Sequence, residues 1–140
     1  MRQKEQRLWD RMRSKLQPYR DLQLERVENG LGAGMPDVHA VANGIMSWVE
    51  LKAVDVAPAR GTTPLLGEAH GLLREQKNWH FNYIKHRGRC WVLIGVGPRA
   101  LYMISGEHCD RINSMTLDQF NEESVAKDWQ MVAHYLGAKV

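Results

Sequence analysis

The stretch PDVHAVANGIMSWVELK, residues 36–52, decides the fold. Apolar residues alternate with others along residues 37–41 and 45–53, which is typical of strands that bury one face. The dipeptide Asn43-Gly44 lies between them and favours the tight turn of a β-hairpin. The stretch therefore predicts two antiparallel strands, the second of which returns along the first.

This hairpin brings three charged side chains towards one of its ends. Pairing about the turn leaves Asp37 near the part of the second strand that holds Glu50 and Lys52, which alternation places on one face. Two carboxylates suit Mg²⁺ or Mn²⁺ better than zinc. A lysine beside such an ion can orient a water molecule and offset negative charge. A cross-strand salt bridge explains the same residues, and short patterns recur by chance.

Helical and strand patterns flank the hairpin on both sides. Residues 3–16 repeat apolar side chains every three or four positions, which predicts an amphipathic helix, and a short strand follows at 22–27. Residues 55–69 are rich in proline and glycine and predict a mobile loop. Beyond the loop we expect a helix at 71–87 and two strands at 90–96 and 100–104. Two further helices are expected, one that begins at Thr116 and one at 129–135. This order predicts one α/β domain over residues 1–140, with a mixed sheet flanked by helices.

Gln76 is a polar residue on the apolar side of the helix predicted at 71–87. The inward stripe of that helix is expected to comprise Leu72, Leu73, Trp79 and Tyr83. A glutamine on a core face needs a hydrogen-bond partner. The pattern leaves open whether Gln76 is a satisfied core amide or a helper residue in an active site.

A third acidic residue is needed to complete a metal site, and three glutamates are candidates. Glu5 lies three residues before Leu8 and four before Trp9, at the edge of the first helix's apolar face. A carboxylate directed inwards requires a cation, although a first-turn glutamate is also favoured by the helix dipole. Glu25 and Glu28 are the alternatives, because either can flank Asp37 from the neighbouring strand.

Charge and composition restrict the classes of function. Residues 1–20 carry seven basic and two acidic residues, so the remaining 120 residues sum to −2 in a chain of net charge +3. A basic first helix indicates either a surface for a polyanion or a solvated face. The two cysteines and the absence of long apolar runs predict a cytoplasmic protein with no membrane partner. The six histidines lack zinc-ligand spacing, although His39 is expected near Asp37.

Four groups of residues together resemble the motifs of a nuclease superfamily. They are Gly34-Met35-Pro36-Asp37, Trp48-Val49-Glu50-Leu51-Lys52, Gln76-Lys77-Asn78-Trp79 and Gly88. As a set, they are similar to the PD-(D/E)XK nucleases. The similarity is greatest to the VRR-NUC branch, with its small phage nucleases, and extends more distantly to phage junction resolvases. It covers about residues 1–97.

The resemblance implies a restriction-endonuclease-like α-β-β-β-α-β core and Mg²⁺-dependent phosphodiester hydrolysis, with Mn²⁺ as a substitute. It implies that Asp37 and Glu50 are metal ligands, with Glu5 as the acid of the first helix. Lys52 is then the residue that positions water, and Gln76 matches the helix glutamine of the branch. No family motif is found beyond residue 105, and residues 98–140 are expected to pack on the core or form an interface.

The expected partner is DNA, and a cytoplasmic location then means the host cytoplasm if a phage encodes the chain. We expect its phosphates to meet Lys4, Arg7, Arg11, Arg60, Arg74 and Lys77. No helix has the features of a major-groove reader, so we predict an endonuclease selective for branched, flapped or nicked DNA. Symmetric cutting of such DNA predicts a homodimer. A non-catalytic DNA-binding module and a sequence-specific restriction-like enzyme remain the alternatives.

Overall fold

A mixed β-sheet of five strands organises the part of the chain that the computed structural model describes, residues 3–27 and 32–140. The strands lie in chain order across the sheet. They are β1 (Leu22–Arg26), β2 (Val38–Ala42), β3 (Ile45–Val54), β4 (Cys90–Val96) and β5 (Ala100–Ser105). β3 and β4 are parallel, and the other neighbours are antiparallel. Every residue of β4 is buried, as expected for an apolar run between two other strands.

Helices cover both faces of the sheet. They are α1 (Gln3–Leu16), α2 (Gly67–His70), α3 (Arg74–Lys85), α4 (Leu117–Glu123) and α5 (Trp129–Tyr135). Two 3₁₀ turns follow β5, at Gly106–His108 and Ile112–Ser114. α1 and α5 share one apolar core with the sheet, whereas α4 and the residues around α2 share the core on the opposite face. The predicted mixed sheet with flanking helices is therefore confirmed.

The β2–β3 hairpin has the predicted turn, and its strand pairing ends at Val38 and Val49. Asn43 and Gly44 have φ values of 52° and 81°, the left-handed conformations that a two-residue hairpin turn requires. The ladder runs from Ala42–Ile45 to Val38–Val49 and ends there. The strand was predicted to begin at Asp37, but Asp37 lies just outside the ladder.

The α3 region differs most from the prediction. The helix begins at Arg74 instead of residue 71, and Leu73 at its N-cap is 55% exposed, so this leucine is not part of an inward stripe. The buried residue within the helix is His80. The segment predicted as a mobile loop, 55–69, also has regular structure, because it contains most of α2 and a β-bridge between Pro64 and Thr116. Within the described residues, no helix combines the length and apolarity that a bilayer span requires.

His80 makes the stability of the fold depend on pH. Its side chain has no exposed surface, and its Nδ1 lies 3.1 Å from Cys90 Sγ. Burial, followed by the charge of Lys52, lowers the pKa of His80 from 6.5 to about 4. Between these values the unfolded chain binds a proton that the folded chain excludes. The free energy of unfolding therefore falls as the pH drops from 6.5, by about 3 kcal/mol at pH 4.

Urea unfolding of the wild type and of His80→Gln between pH 7 and pH 4 measures this effect. The variant has no imidazole to titrate and is expected to lose less stability across the window. Equal losses in the two proteins would contradict the prediction.

Candidate active site

A cleft of about 620 Å³ opens where the β2–β3 ladder ends. Glu5, Asp37 and Glu50 line it, and one carboxylate oxygen from each lies within 4.8 Å of the others. The cleft is completed by Lys52, by three residues before β2 and by five around α2 and α3, namely Ala33, Gly34, Met35, Ala69, Gly71, Leu73, Glu75 and Gln76. The structure thus brings Glu5, one of the three candidates for the third acid, together with Asp37, Glu50 and Lys52.

Asp37 occupies the position where β2 separates from β3. Its Oδ2 accepts a hydrogen bond of 2.8 Å from the Leu51 N–H, which lies beyond the last ladder pair. Its carbonyl oxygen accepts another of 2.7 Å from the Val27 N–H. The carboxylate thus satisfies a strand N–H that has lost its strand partner, and this holds Asp37 at the opening of the sheet.

Glu5 reaches the same place from the other side of the sheet. α1 packs in the core that contains Val49 and Leu51, whereas Glu50 lies on the opposite side of β3 by strand alternation. The opening between β2 and β3 lets these carboxylates meet. Glu25, the alternative on β1, is exposed and accepts a hydrogen bond of 2.9 Å from Gln23 Nε2. Glu28 lies outside the described residues.

Glu50 is a buried carboxylate with one uncompensated oxygen. It is 1% exposed, and its Oε2 lies 4.0 Å from Lys52 Nζ. Its Oε1 is buried with no hydrogen-bond partner among the described residues. Burial first, and then the neighbouring charge of Asp37, raises the pKa of Glu50 well above its usual range, although Lys52 opposes the shift. A bare oxygen among three acids fits a divalent cation held by oxygen ligands.

Gln76 connects the start of α3 to Glu50. Its Oε1 accepts a hydrogen bond of 2.8 Å from the Leu73 N–H, and its Nε2 donates one of 3.1 Å to Glu50 Oε2. Because an N–H group holds the amide oxygen, the amide NH₂ is directed at the carboxylate. The hydrogen-bond partners that Gln76 was expected to need are therefore the Leu73 N–H and Glu50.

Gly34 holds the loop before β2 against α3. Its φ is +81°, and a Cβ at this position would lie 2.1 Å from the Glu75 carbonyl oxygen and 2.8 Å from the Gln76 nitrogen. Only a glycine tolerates both the left-handed conformation and this approach of two backbones. The loop that carries Asp37 is thus seated directly on the helix that carries Gln76.

The basic residues predicted to bind DNA fall into two groups. Lys4 and Arg7 on α1 lie 3.4 and 3.3 Å from the carboxylate of Asp55, and Arg11 donates to the Gly97 carbonyl at 3.1 Å. These three line two smaller grooves, the first of which shares Glu5 with the cleft. The other three, Arg60, Arg74 and Lys77, do not line the cleft.

His39 was expected near the site but lies beside Trp48, with ring centroids 4.8 Å apart, and does not line the cleft. Glu75, Ala69 and Gly71 do line it, although no sequence motif marks them. Among the described residues, the acidic cluster is the group of three or more side chains that could hold a metal ion. All its ligand atoms are oxygens, which is the set expected for Mg²⁺ and not for zinc.

Comparison with solved structures identifies the architecture. The Holliday junction resolvase Hjc of the archaeal hyperthermophile Archaeoglobus fulgidus superposes with a TM-score of 0.63 over 94% of this chain and 99% of its own, at 12% identity. The chain has the fold of this resolvase. A VRR_NUC domain also aligns, with a TM-score of 0.46 over 78% of this chain and 92% of its own, at 16% identity. No family model and no curated protein matches the chain. The expected restriction-endonuclease-like fold is therefore confirmed by the resolvase fold.

Proposed function

We propose that the chain is a Mg²⁺-dependent endonuclease that hydrolyses phosphodiester bonds in branched, flapped or nicked DNA, as a junction resolvase does. The observation that carries this proposal is the cluster of Glu5, Asp37 and Glu50 beside Lys52 in one open cleft. The fold also supports it, because a Holliday junction resolvase has the same fold. Residues 1–140 act as one nuclease domain in this proposal.

The residues of the cleft have different roles in this proposal. Glu5, Asp37 and Glu50 would hold the metal, which would polarise the scissile phosphate and lower the pKa of a bound water. Mn²⁺ would substitute for Mg²⁺, because it takes the same oxygen ligands. Lys52 is only 8% exposed, and its Nζ lies 4.0 Å from Glu50 Oε2, where it would orient the attacking water and offset charge on the phosphate. Gln76 fixes the orientation of the Glu50 carboxylate.

DNA would enter through the basic side of α1. Lys4, Arg7 and Arg11 line two grooves, one of which shares Glu5 with the acid cleft, and this placement suits contacts to a phosphate backbone. Recognition by backbone and shape is consistent with selectivity for branched DNA. Cutting both strands of a symmetric branch requires two sites, so we propose that the chain acts as a homodimer.

A cleavage assay on a panel of DNA structures tests this function. The panel contains a four-way junction, a flap, a nicked duplex and an unbranched duplex, each incubated with Mg²⁺, Mn²⁺ or EDTA. We expect the branched and nicked substrates to be cut with either metal and spared in EDTA.

Three outcomes would contradict this proposal, and the first two would favour another function. Salt-dependent binding without hydrolysis would support a non-catalytic module. A consensus sequence at the cut sites of random duplex would support a restriction-like enzyme. Equal cutting of branched and unbranched DNA would overturn the proposed selectivity.

Asp55 is expected to weaken DNA binding, because its carboxylate forms ion pairs with basic side chains that are proposed to bind phosphate. The ion pairs of Asp55 with Lys4 and Arg7 are exposed and therefore weak, so they exchange easily for a phosphate. Asp55→Asn should tighten binding at low salt by roughly 2–5-fold, the scale of an exposed ion pair. The difference should shrink as the salt concentration rises.

Fluorescence anisotropy with a labelled junction in EDTA measures this binding. Glu122→Gln is the matched control, because it removes the same charge from an exposed position on α4. Equal tightening by both variants would mean that only the net charge matters, and would contradict the assignment of Asp55.

A further inference from the structure

Asn113 is a buried polar residue in the second 3₁₀ turn, outside residues 1–97, which carry the sequence motifs. It is 4% exposed, and its Oδ1 accepts a hydrogen bond of 2.7 Å from the Leu72 N–H. Its Nδ2 donates to the Leu72 carbonyl at 2.9 Å and to Glu68 Oε2 at 3.2 Å. One side chain therefore satisfies both backbone polar groups of Leu72, as a neighbouring strand would.

The backbone at this point has no room to move towards Asn113. A Cβ on Gly71 would lie 1.9 Å from Asn113 Oδ1, so the glycine and the amide are in direct contact. The Leu72 side chain is itself buried in the same apolar core as Ile112. The segment that leads into α3 is thus held by a hydrogen-bonded pair and by packing on both sides.

The hydrogen bonds continue from this segment to the acid cluster. The N–H of Leu73, the next residue after Leu72, donates to Gln76 Oε1, and Gln76 Nε2 donates to Glu50 Oε2. A shift of the segment would release the amide oxygen of Gln76 and allow the side chain to turn away from Glu50. Gln76 Nε2 is thus a hydrogen-bond donor to Glu50 Oε2, whereas Glu50 Oε1 has no hydrogen-bond partner among the described residues.

We propose that Asn113 is a positioning residue of the cleft, which fixes the start of α3 so that Gln76 holds the Glu50 carboxylate. The inference rests on the proposed function, because it assigns Glu50 to the metal. It also gives residues 98–140 a part in the active site, through a side chain that touches neither metal nor DNA. A merely structural asparagine would affect stability but would act independently of Gln76.

A double-mutant cycle with Asn113→Asp and Gln76→Ala separates these roles. Asn113→Asp retains the volume and an acceptor but loses the donor to Leu72. We expect it to lower kcat by roughly 10-fold, as outer-shell changes do, with little change in KM for DNA. In the Gln76→Ala background it should have almost no further effect. Additive losses would overturn the inference.

Affinity for Mg²⁺, measured by calorimetry without DNA, is the second readout. Asn113→Asp should weaken binding roughly 10-fold in the wild-type background and hardly at all with Gln76→Ala. A wild-type chain that binds Mg²⁺ but does not cleave DNA would overturn the proposed function alone. Unchanged affinity and kcat in Asn113→Asp would overturn the inference alone.

Loss of stability is controlled by Ile112→Val, which perturbs a fully buried neighbour in the same 3₁₀ turn. All variants are compared at a temperature below the lowest Tm among them. Equal loss of kcat in Ile112→Val would show that any weakening of the turn suffices, and would contradict the role of Asn113. If Asn113→Asp does not fold, Asn113→Ser takes its place, with the same criteria in the cycle.

Discussion

Glu50→Gln should abolish DNA cleavage, leave DNA binding intact and raise the Tm of the metal-free protein. The loss of cleavage follows from removing a carboxylate that is proposed to hold the metal, and we expect at least a roughly 100-fold fall in rate. Binding is expected to persist because the basic residues on α1 are untouched. Asp37→Asn should lose cleavage in the same way. The fold should be retained, since the amide oxygen of the asparagine can still accept the hydrogen bond from the Leu51 N–H.

The rise in Tm follows from the burial of Glu50. The pKa of Glu50 is raised in the folded chain above its ordinary 4.5, so ionisation destabilises the fold as the pH rises from 4.5 through the folded value. Glutamine has the same shape and remains neutral at every pH. The Tm difference between Glu50→Gln and the wild type in EDTA should therefore grow between pH 5 and pH 8. Added Mg²⁺ should raise the Tm of the wild type more than that of the variant.

The measurements are junction cleavage with Mg²⁺, junction binding in EDTA, and thermal unfolding with and without metal. Glu25→Gln is the matched control, because it makes the same chemical change at an exposed acid on β1. We expect wild-type rates from it. If Glu50→Gln or Asp37→Asn cuts at the wild-type rate, the acid cluster is not the catalytic site.

Gly34→Ala should damage both the stability and the activity of the protein. The left-handed φ of Gly34 costs an alanine roughly 1–2 kcal/mol, and the added Cβ also meets the Glu75 carbonyl. Relief of that contact must push the loop of Asp37 away from α3. A displacement of about 1 Å at a reacting centre can cost on the order of 100-fold in rate, and we expect a loss of that size.

Two other glycines separate the causes. Gly44 has the same φ of +81° with nothing within 4 Å of its Cβ position, so Gly44→Ala reports the conformational cost alone. Gly32 has neither feature, and Gly32→Ala should be nearly neutral. Urea unfolding and junction cleavage are measured for all three variants. If Gly34→Ala behaves like Gly44→Ala in both assays, the contact of Gly34 with α3 affects neither stability nor cleavage.

The parts of the fold that local pattern determines were predictable. The bounds of α1, β4 and α5 agree with the prediction, because an amphipathic helix and an apolar strand are defined by their own residues. The same holds for the hairpin, whose Asn43-Gly44 turn sets the register that brings Asp37 near Glu50. The first helix and the hairpin place the three acids and Lys52 in the cleft.

The parts that depend on distant contacts were not predictable. Residue 71 was expected to begin a helix, but Asn113 binds the backbone of Leu72 from 41 positions away and holds it outside the helix. The choice between Glu5 and Glu25 also required the structure, since it depends on where β2 and β3 part. No local signal in the sequence distinguishes Asn113 from an ordinary surface asparagine.

The cleft is built from segments that are far apart in the chain, and this determines when it can form during protein synthesis. A nascent chain that has emerged as far as Lys52 already contains Glu5, Asp37, Glu50 and the lysine. Its β3 nevertheless lacks its parallel partner β4, and the Glu50 carboxylate lacks the amide of Gln76. Ribosome-bound chains that end before β4 should therefore lack the proposed ability to cut DNA, although all three acids of the cluster have already been synthesised.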